Sequence, residues 1–242
     1  MTNRVFGIIP FMLFSAPAIA VAADQSAPYR APPPAPIPYY NWSGFYFGVS
    51  IGGGFSDLNF SNSGTATGAP TGINSANVTG VVGGGQIGYN YVFAPNFLAG
   101  LDADISGANI DGNATATDGS EQHKFETDLF GTARGRLGLT YNNWLFYGTG
   151  GFAWGNERVT HNQLTGTAGA AGAGISETAS NTGTGWTAGG GIEWGLTPNW
   201  TTRVEYLRVD LGTNSYAFPL AGRATTFDNA FNVVRLGVNY KF

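Results

Sequence analysis

Apolar and polar residues alternate along most of the chain, with a period of two. The final stretch, VVRLGVNYKF, shows this pattern without interruption. A period of two predicts a β-strand with one apolar face. Because chain ends are usually polar and poorly ordered, we expect a strand of this kind at the end of the chain to pair with another strand. Its apolar side carries Val234, Leu236, Val238, Tyr240 and Phe242.

Seven further segments alternate in the same way, which gives eight predicted strands. In chain order these are GFYFGVSIGGGF, VVGGGQIGYNYVF, FLAGLDADI, KFETDLFGTARGRLGL, WLFYGTGGFAW, GWTAGGGIEWGL, WTTRVEYLRV and VVRLGVNYKF. Three connections are short and contain Pro or Asn, which favour tight turns: Ala94 to Asn96, Tyr141 to Asn143 and Thr197 to Asn199. The other four are long and polar: Ser56 to Asn77, Ser106 to Gln122, Gly155 to Thr182 and Gly212 to Asn229.

The order of these connections predicts the topology. Tight turns that alternate with long loops indicate an up-and-down meander, with all short turns at one end and all long loops at the other. Eight strands, an even number, can close into a barrel that has no open edge. The pattern therefore predicts an all-β fold, an eight-stranded antiparallel up-and-down β-barrel.

Two kinds of barrel place the apolar face differently. A soluble barrel of the lipocalin kind has apolar residues inside, whereas a transmembrane barrel has polar residues inside and an apolar band against lipid. The predicted polar face is rich in Gly, Ser and Thr and carries few charges, nearly balanced in sign, whereas a soluble surface is usually dense in Lys and Glu. This composition favours the transmembrane barrel. The predicted interior charges are Asp102, Asp104, Glu126, Asp128, Arg134, Arg136, Glu193, Arg203, Glu205 and Arg235.

These interior charges are expected to neutralise one another. In a barrel of this size the side chains fill the interior, and a buried charge without a partner is strongly unfavourable. The candidate pairs are Glu205 with Arg235, Glu193 with Arg203, and Asp102 with Arg134.

Aromatic residues on the apolar face concentrate near the strand ends, as in the girdles at the two interfaces of transmembrane barrels. Near the short turns, the predicted interfacial aromatics are Phe45, Tyr91, Phe97, Trp144, Trp194 and Trp200. The candidates for the second girdle are Phe55, Phe125, Trp154, Trp186 and Tyr206.

The N-terminal region predicts an export signal and a linker. Arg4, an apolar run and small residues up to Ala23 have the form of a secretory signal peptide. Closely spaced prolines follow, which favour an extended polyproline II conformation. We therefore predict a signal peptide at residues 1–23, a Pro-rich periplasmic linker at 24–41 and the barrel at 42–242.

Composition argues against several classes of function. The chain has no Cys, which removes disulfides and thiolate metal sites, and its formal net charge of -4 gives no indication of nucleic-acid binding. The two histidines, His123 and His161, are predicted at a strand mouth and in a long loop, in contact with solvent and without a Ser or Asp constellation. The sequence therefore predicts no enzyme, no catalytic site, no cofactor and no metal.

Several segments together resemble the small outer-membrane β-barrel proteins of alphaproteobacteria, of the porin-family or OmpA-like barrel type. They are NWSGFYFGVSIGGGF, LFYGTGGFAWG, TRVEYLRVDLG and VRLGVNYKF. The resemblance implies an outer-membrane protein among lipid and lipopolysaccharide, whose last strand, with Val238, Tyr240 and Phe242, is read by the outer-membrane assembly machinery. The chain departs from full OmpA architecture because it has no C-terminal peptidoglycan-binding domain, so any peptidoglycan contact would come from the Pro-rich segment.

Two functions remain in view. The first is a structural barrel that stabilises the envelope and displays four extracellular loops to a ligand or a host surface, since recognition usually lies on loops held by a rigid scaffold. The alternative is a narrow porin-like channel for small solutes. Water-filled lumens belong to barrels of about sixteen strands, which favours the structural role.

Overall fold

The computed structural model describes residues 40–64, 70–115, 121–163, 174–218, 220 and 223–242. These residues form a closed barrel in which each strand pairs antiparallel with its neighbours in sequence and the last strand pairs with the first. This confirms the predicted fold class. The strands are β1 Gly44–Gly64, β2 Pro70–Ala94, β3 Phe97–Thr115, β4 Glu121–Tyr141, β5 Trp144–Gln163, β6 Ser176–Gly195, β7 Trp200–Phe218 and β8 Arg223–Lys241.

Three short turns lie at one end of the barrel, which we call the short-turn end. They separate β2 from β3, β4 from β5, and β6 from β7, as predicted. Asn96 and Asn142 adopt positive φ angles of 66° and 54° there, and Asn tolerates this left-handed conformation better than most residues. The barrel closes at the same end, where the N–H of Phe242 donates to the carbonyl oxygen of Phe45 at 3.0 Å.

The opposite end, which we call the rim, differs from the prediction. Strand β1 runs to Gly64 and β2 begins at Pro70, so most of the first predicted long loop is strand, and the other three are shortened in the same way. Strand pairing depends on backbone hydrogen bonds as well as on side-chain pattern. The regular apolar alternation ends before the backbone pairing does, which is why the sequence pattern underestimated the strand lengths.

The outer surface carries an apolar belt near the short-turn end. Its members are exposed and alternate with buried residues along each strand; on β1 they run from Phe45 to Phe55 and on β3 from Phe97 to Ile105. This is the arrangement of a barrel whose outer wall contacts lipid. The part of the chain that is described contains no helix that could cross a membrane.

Between the belt and the rim, the barrel reverses its polarity. On β5, Asn156, Arg158 and Thr160 face outward, whereas Val159 faces inward and is buried. Other strands do the same, and the inward side chains form an apolar group, the rim cluster. Its buried members are Val78, Val82, Ile110, Phe125, Phe130, Ala153, Val159, Leu207, Val209, Leu211, Tyr216, Phe218, Phe231 and Val233.

A β-bulge on β4 changes which residues face the lumen. Asp128 is an extra residue that shifts the register against β5 between Thr127 and Leu129. Odd-numbered residues face inward before the bulge and even-numbered residues after it. The predictions of Glu126 and Asp128 as interior charges, and of Phe125 as an interfacial aromatic, are therefore wrong, because a strict period of two does not continue through a bulge.

The two misassigned acids lie on the outer surface. Glu126 is 2.6 Å from the ammonium nitrogen of Lys124, and the carboxylate of Asp128 is 3.6 Å from the guanidinium of Arg158. Both pairs are open to solvent. Exposed pairs of this kind contribute little to stability.

A second bulge lies on β7, where the register against β8 shifts between Asp210 and Thr213. Gly212 has φ +77°, a left-handed conformation that favours glycine, and its N–H donates to the Asp210 carboxylate at 2.9 Å. Beyond this bulge Tyr216 and Phe218 point into the rim cluster. The two bulges thus turn aromatic side chains inward above the belt.

The polarity reversal predicts opposite responses to the same substitution at two outward-facing positions. Ile51→Arg, in the belt, should reduce the free energy of unfolding by about 2–4 kcal/mol because the charge enters the lipid region. Asn109→Arg, on the outer surface beyond the belt, should change it by no more than about 0.5 kcal/mol. Urea unfolding of the protein refolded into lipid vesicles measures both; equal losses would contradict the assigned position of the belt.

Candidate functional site in the barrel lumen

A network of charged side chains fills the lumen at the depth of the apolar belt. Four carboxylates and four guanidinium groups point inward from β3, β4, β6, β7 and β8, and each residue is 8% exposed or less. The numbers of negative and positive groups are therefore equal. The charge network consists of Asp102, Asp104, Glu193, Glu205, Arg134, Arg136, Arg203 and Arg235.

Arg134 lies among three carboxylates. Its Nη2 is 2.8 Å from Asp102 and 3.1 Å from Asp104, and its Nη1 is 3.1 Å from Glu205. The pair of Asp102 and Arg134 expected from the sequence is thus present, and the two residues are direct partners across β3 and β4. A guanidinium group suits this position because its planar donors can bond several carboxylates at once.

Glu205 and Arg235 form the closest pair in the network. Nη2 of Arg235 is 2.6 Å from the Glu205 carboxylate, and its Nη1 is 3.1 Å from Asp104 across the lumen. The hydroxyl of Tyr147 also donates to Glu205, at 2.9 Å. Each carboxylate therefore has several donors, which is what a charge buried at membrane depth requires.

The expected pair of Glu193 and Arg203 is wrong. The two residues are direct partners in the strand register, but the Arg203 side chain crosses the lumen to Asp102 at 3.0 Å. Glu193 instead pairs with Arg136 at 3.2 Å. Backbone register alone does not determine partners when side chains are long enough to span a narrow lumen.

Neutral polar residues complete the network, and the sequence analysis did not find them. The hydroxyl of Tyr46 donates to Asp102, and Gln86 accepts from Arg203. Arg136 also lies between two rings, 5.1 Å from the centroid of Tyr46 and 4.8 Å from that of Tyr147, close enough for cation–π attraction. Tyr46 and Tyr147 could have been predicted as members of the network, because both occupy inward positions in the alternation.

A mainly aromatic layer lies inside the barrel at the short-turn end. Trp42 and Tyr40 precede β1, their rings are 4.5 Å apart, and both are buried. The indole N–H of Trp42 donates to the carbonyl oxygen of Asn142 in a short turn, at 3.4 Å. We call this layer the short-turn cluster: Tyr40, Trp42, Leu98, Leu145 and Tyr147.

The rim cluster lies on the other side of the charge network. Phe130 and Phe231 meet edge to face with ring centroids 5.4 Å apart, and both are buried. Leu207 and Val233 are also fully buried there. These packed apolar side chains lie between the charge network and the rim.

One carboxyl is buried within the rim cluster. Glu157 accepts hydrogen bonds from the hydroxyl of Tyr216 at 2.7 Å and from the amide of Asn214 at 3.2 Å. Burial raises the pKa of Glu157 above its usual range, although these hydrogen bonds oppose the shift. Burial also raises the pKa of Tyr216. Glu157 was not predicted as a buried group, because the pattern of alternation placed it in the long connection from Gly155 to Thr182.

The histidines lie elsewhere than predicted. His123 is on β4 and His161 on β5, they are direct partners in the register, and both are buried. His123 lies near the start of β4, as predicted, but the prediction that both histidines contact solvent and that His161 lies in a loop is wrong. These strands extend further toward the rim than the apolar alternation indicated.

The predicted surface residues lie on the outer wall. The six aromatics Phe45, Tyr91, Phe97, Trp144, Trp194 and Trp200 are exposed and lie at the strand ends near the short turns. Val238 on β8 and Phe242, the residue directly after β8, are both exposed, and the rings of Tyr240 and Phe242 are 5.5 Å apart.

A closed antiparallel barrel with an apolar belt outside and a neutral charge network inside defines a transmembrane β-barrel protein. The family model of the outer membrane protein beta-barrel domain matches residues 6–242, and the chain belongs to that family. Its location is therefore the outer membrane.

Named relatives agree with this assignment. The chain is 33% identical to a 31 kDa outer-membrane immunogenic protein of Brucella melitensis, over 95% of each chain. It is 32% identical to a 25 kDa outer-membrane immunogenic protein of Brucella abortus, over 95% of this chain and 92% of the relative. A 22 kDa outer membrane protein of Rhizobium leguminosarum is 30% identical over 66% of each chain.

Among solved structures, the outer membrane protein OprG from Pseudomonas aeruginosa is similar in fold. The match has a TM-score of 0.53, a sequence identity of 16%, and covers 84% of this chain and 98% of OprG. At this identity the similarity concerns the fold alone.

The charge network predicts unequal effects of removing two acids. Glu205→Ala should reduce the free energy of unfolding by about 3–5 kcal/mol because it leaves buried guanidinium groups without their partner. Asp128→Ala, which removes an acid from an exposed pair, should reduce it by at most about 1 kcal/mol. Urea unfolding in lipid vesicles measures both values. Similar losses would show that the lumen is hydrated enough to compensate the missing charge.

Proposed function

We propose that the protein is a structural outer-membrane barrel with a closed lumen, which stabilises the envelope and displays its rim to the outside. The observation that carries this proposal is the stacking of three buried layers along the lumen: the short-turn cluster, the charge network and the rim cluster. Each layer consists of side chains that are buried inside the barrel. Eight strands leave an interior that side chains can fill.

The alternative is a narrow channel for small solutes. Charged residues such as Arg235 and Asp104 face each other across the lumen, and rings of charge are used by pores to select ions. The rim cluster argues against this function, because a polar solute would have to displace packed rings such as Phe130 and Phe231.

The rim supports a role in surface interaction. Four connections at that end join strands that continue well past the apolar belt. These connections include residues 65–69, 116–120, 164–173 and 219–222. The barrel would hold these connections above the membrane as four extracellular loops that contact a ligand or a host surface. Two Brucella relatives are named as outer-membrane immunogenic proteins, and this similarity supports a surface-exposed part in the present chain.

The remaining parts of the proposal concern biogenesis and neighbours. Residues 1–23 would be the signal peptide, and the Pro-rich residues 24–41 would be a periplasmic linker that supplies any contact with peptidoglycan. Except for Tyr40 and Asn41, these residues lie outside the described part of the chain. Val238, Tyr240 and Phe242 would form the signal for the assembly machinery. The apolar belt would contact lipid and lipopolysaccharide. We assign no catalytic role, in keeping with relatives that are named only as outer-membrane proteins.

Single-channel recording in a planar bilayer tests the closed lumen. We expect the wild type to be silent, and we expect Glu205→Gln combined with Arg235→Gln to be silent as well, because the rim cluster and the short-turn cluster remain. Asp128→Asn combined with Arg158→Gln, on the outer surface, is the matched control. Folding of each variant is checked by circular dichroism before recording.

Steady conductance by the wild type would replace the structural role with the channel. If the variant with Glu205→Gln and Arg235→Gln conducts and the wild type does not, the charge network alone blocks ion flow. This result would contradict closure by three layers.

A further inference from the structure

The two histidines of the chain meet at the rim, inside the barrel. The ring centroids of His123 and His161 are 4.8 Å apart, with an angle of 50° between the planes. They are direct cross-strand partners, and their exposed fractions are 2% and 0%. Neither the charge network nor the closed lumen accounts for this pair.

A carboxylate lies next to the pair in the strand register. Glu177 on β6 is the direct partner of His161, so the three residues occupy adjacent positions across three neighbouring strands. One carboxylate oxygen of Glu177 accepts the backbone N–H of Leu220 at 3.2 Å. All three residues are within a few positions of the strand ends at the rim.

We propose that His123 and His161 bind one divalent transition-metal ion at the rim, with Glu177, the register partner of His161, as the candidate for a further ligand. Two imidazoles that share a metal at a nitrogen distance of about 2.0–2.1 Å have ring centroids about 5 Å apart. The observed separation of 4.8 Å is therefore close to that of a bound pair. A cross-strand pair on one face of a sheet also keeps both rings on the same side of the backbone.

The surroundings of the pair favour particular ions. Phe218 stacks near His161 with ring centroids 5.2 Å apart, and Phe125 lies 6.2 Å from His123. These rings limit access of water, and neutral imidazole is the form that binds metals. Imidazole suits Cu²⁺, Ni²⁺ and Zn²⁺, whereas Mg²⁺ and Ca²⁺ prefer oxygen ligands.

Protein side chains would fill fewer than all the coordination positions of the ion. Within the described ranges, no three His, Cys, Asp or Glu side chains form a ready-made metal cluster. Binding would therefore use the two imidazoles first, and water or a rotated Glu177 side chain would fill the other positions. The ion would join β4 to β5 at the rim, and a ligand that binds only the folded state raises the unfolding temperature.

The test is calorimetric titration of the untagged, refolded full chain with Cu²⁺, Ni²⁺, Zn²⁺ and Mg²⁺ at neutral pH. We expect one ion per chain, with Cu²⁺ bound most tightly, no binding of Mg²⁺, and a higher unfolding temperature with the bound ion. His123→Gln or His161→Gln should weaken binding about tenfold or more and abolish the thermal shift. Glu177→Gln should weaken binding by less. Glu157→Gln, a buried acid on the same strand as His161, is the matched control and should bind as the wild type does.

Equal binding by the wild type and both histidine variants, or no saturable binding by the wild type, would overturn the proposal. If a histidine variant fails to fold, protection of the wild-type histidines by Ni²⁺ against diethyl pyrocarbonate provides a second measurement. Unchanged modification rates with and without the ion would also overturn it. These outcomes are independent of whether the lumen conducts.

Discussion

Water is absent from the hydrocarbon region of a membrane, so every polar group at that depth must find its partner within the protein. The backbone meets this requirement by closure, completed where β8 pairs with β1. The carboxylates meet it through the charge network, in which Glu205, for example, has Arg134, Arg235 and Tyr147 as partners. Among the described residues, the Nε atoms of Arg134, Arg136 and Arg203 have no hydrogen-bond partner. Because carboxylates and guanidinium groups are equal in number, the network is neutral and places no net charge at the centre of the membrane.

The same requirement explains why the apolar and polar faces of the barrel wall exchange sides beyond the belt. Outside lipid, the outer wall can be polar, and residues such as Asn156 and Arg158 occupy it. The interior is then free to pack apolar side chains, as a soluble barrel does. The two barrel types that the sequence analysis treated as alternatives are therefore both present, one above the other, in a single set of strands.

The strands near the short turns could be predicted because lipid on one side and a polar lumen on the other impose a strict period of two. The prediction failed where this condition ends. The bulge at Asp128 moved Glu126 outward and Phe125 inward, and nothing in the local sequence marks it. The histidine pair was missed because strands outside lipid need no regular apolar face. The partner of Glu193 could not be predicted because long side chains cross the lumen.

The closed barrel that we propose requires a lumen that is dry at the charge network. The chain contains no Cys, so single introduced thiols report on one position each. Ser106→Cys places a thiol inward beside Asp104, and Asn109→Cys places one outward on the same strand. In lipid vesicles, a charged methanethiosulfonate reagent should modify the Asn109 variant readily and the Ser106 variant on the order of a hundredfold more slowly, because a buried thiol is inert. Comparable rates at the two positions would mean that water and ions reach the network, and would contradict the closed barrel.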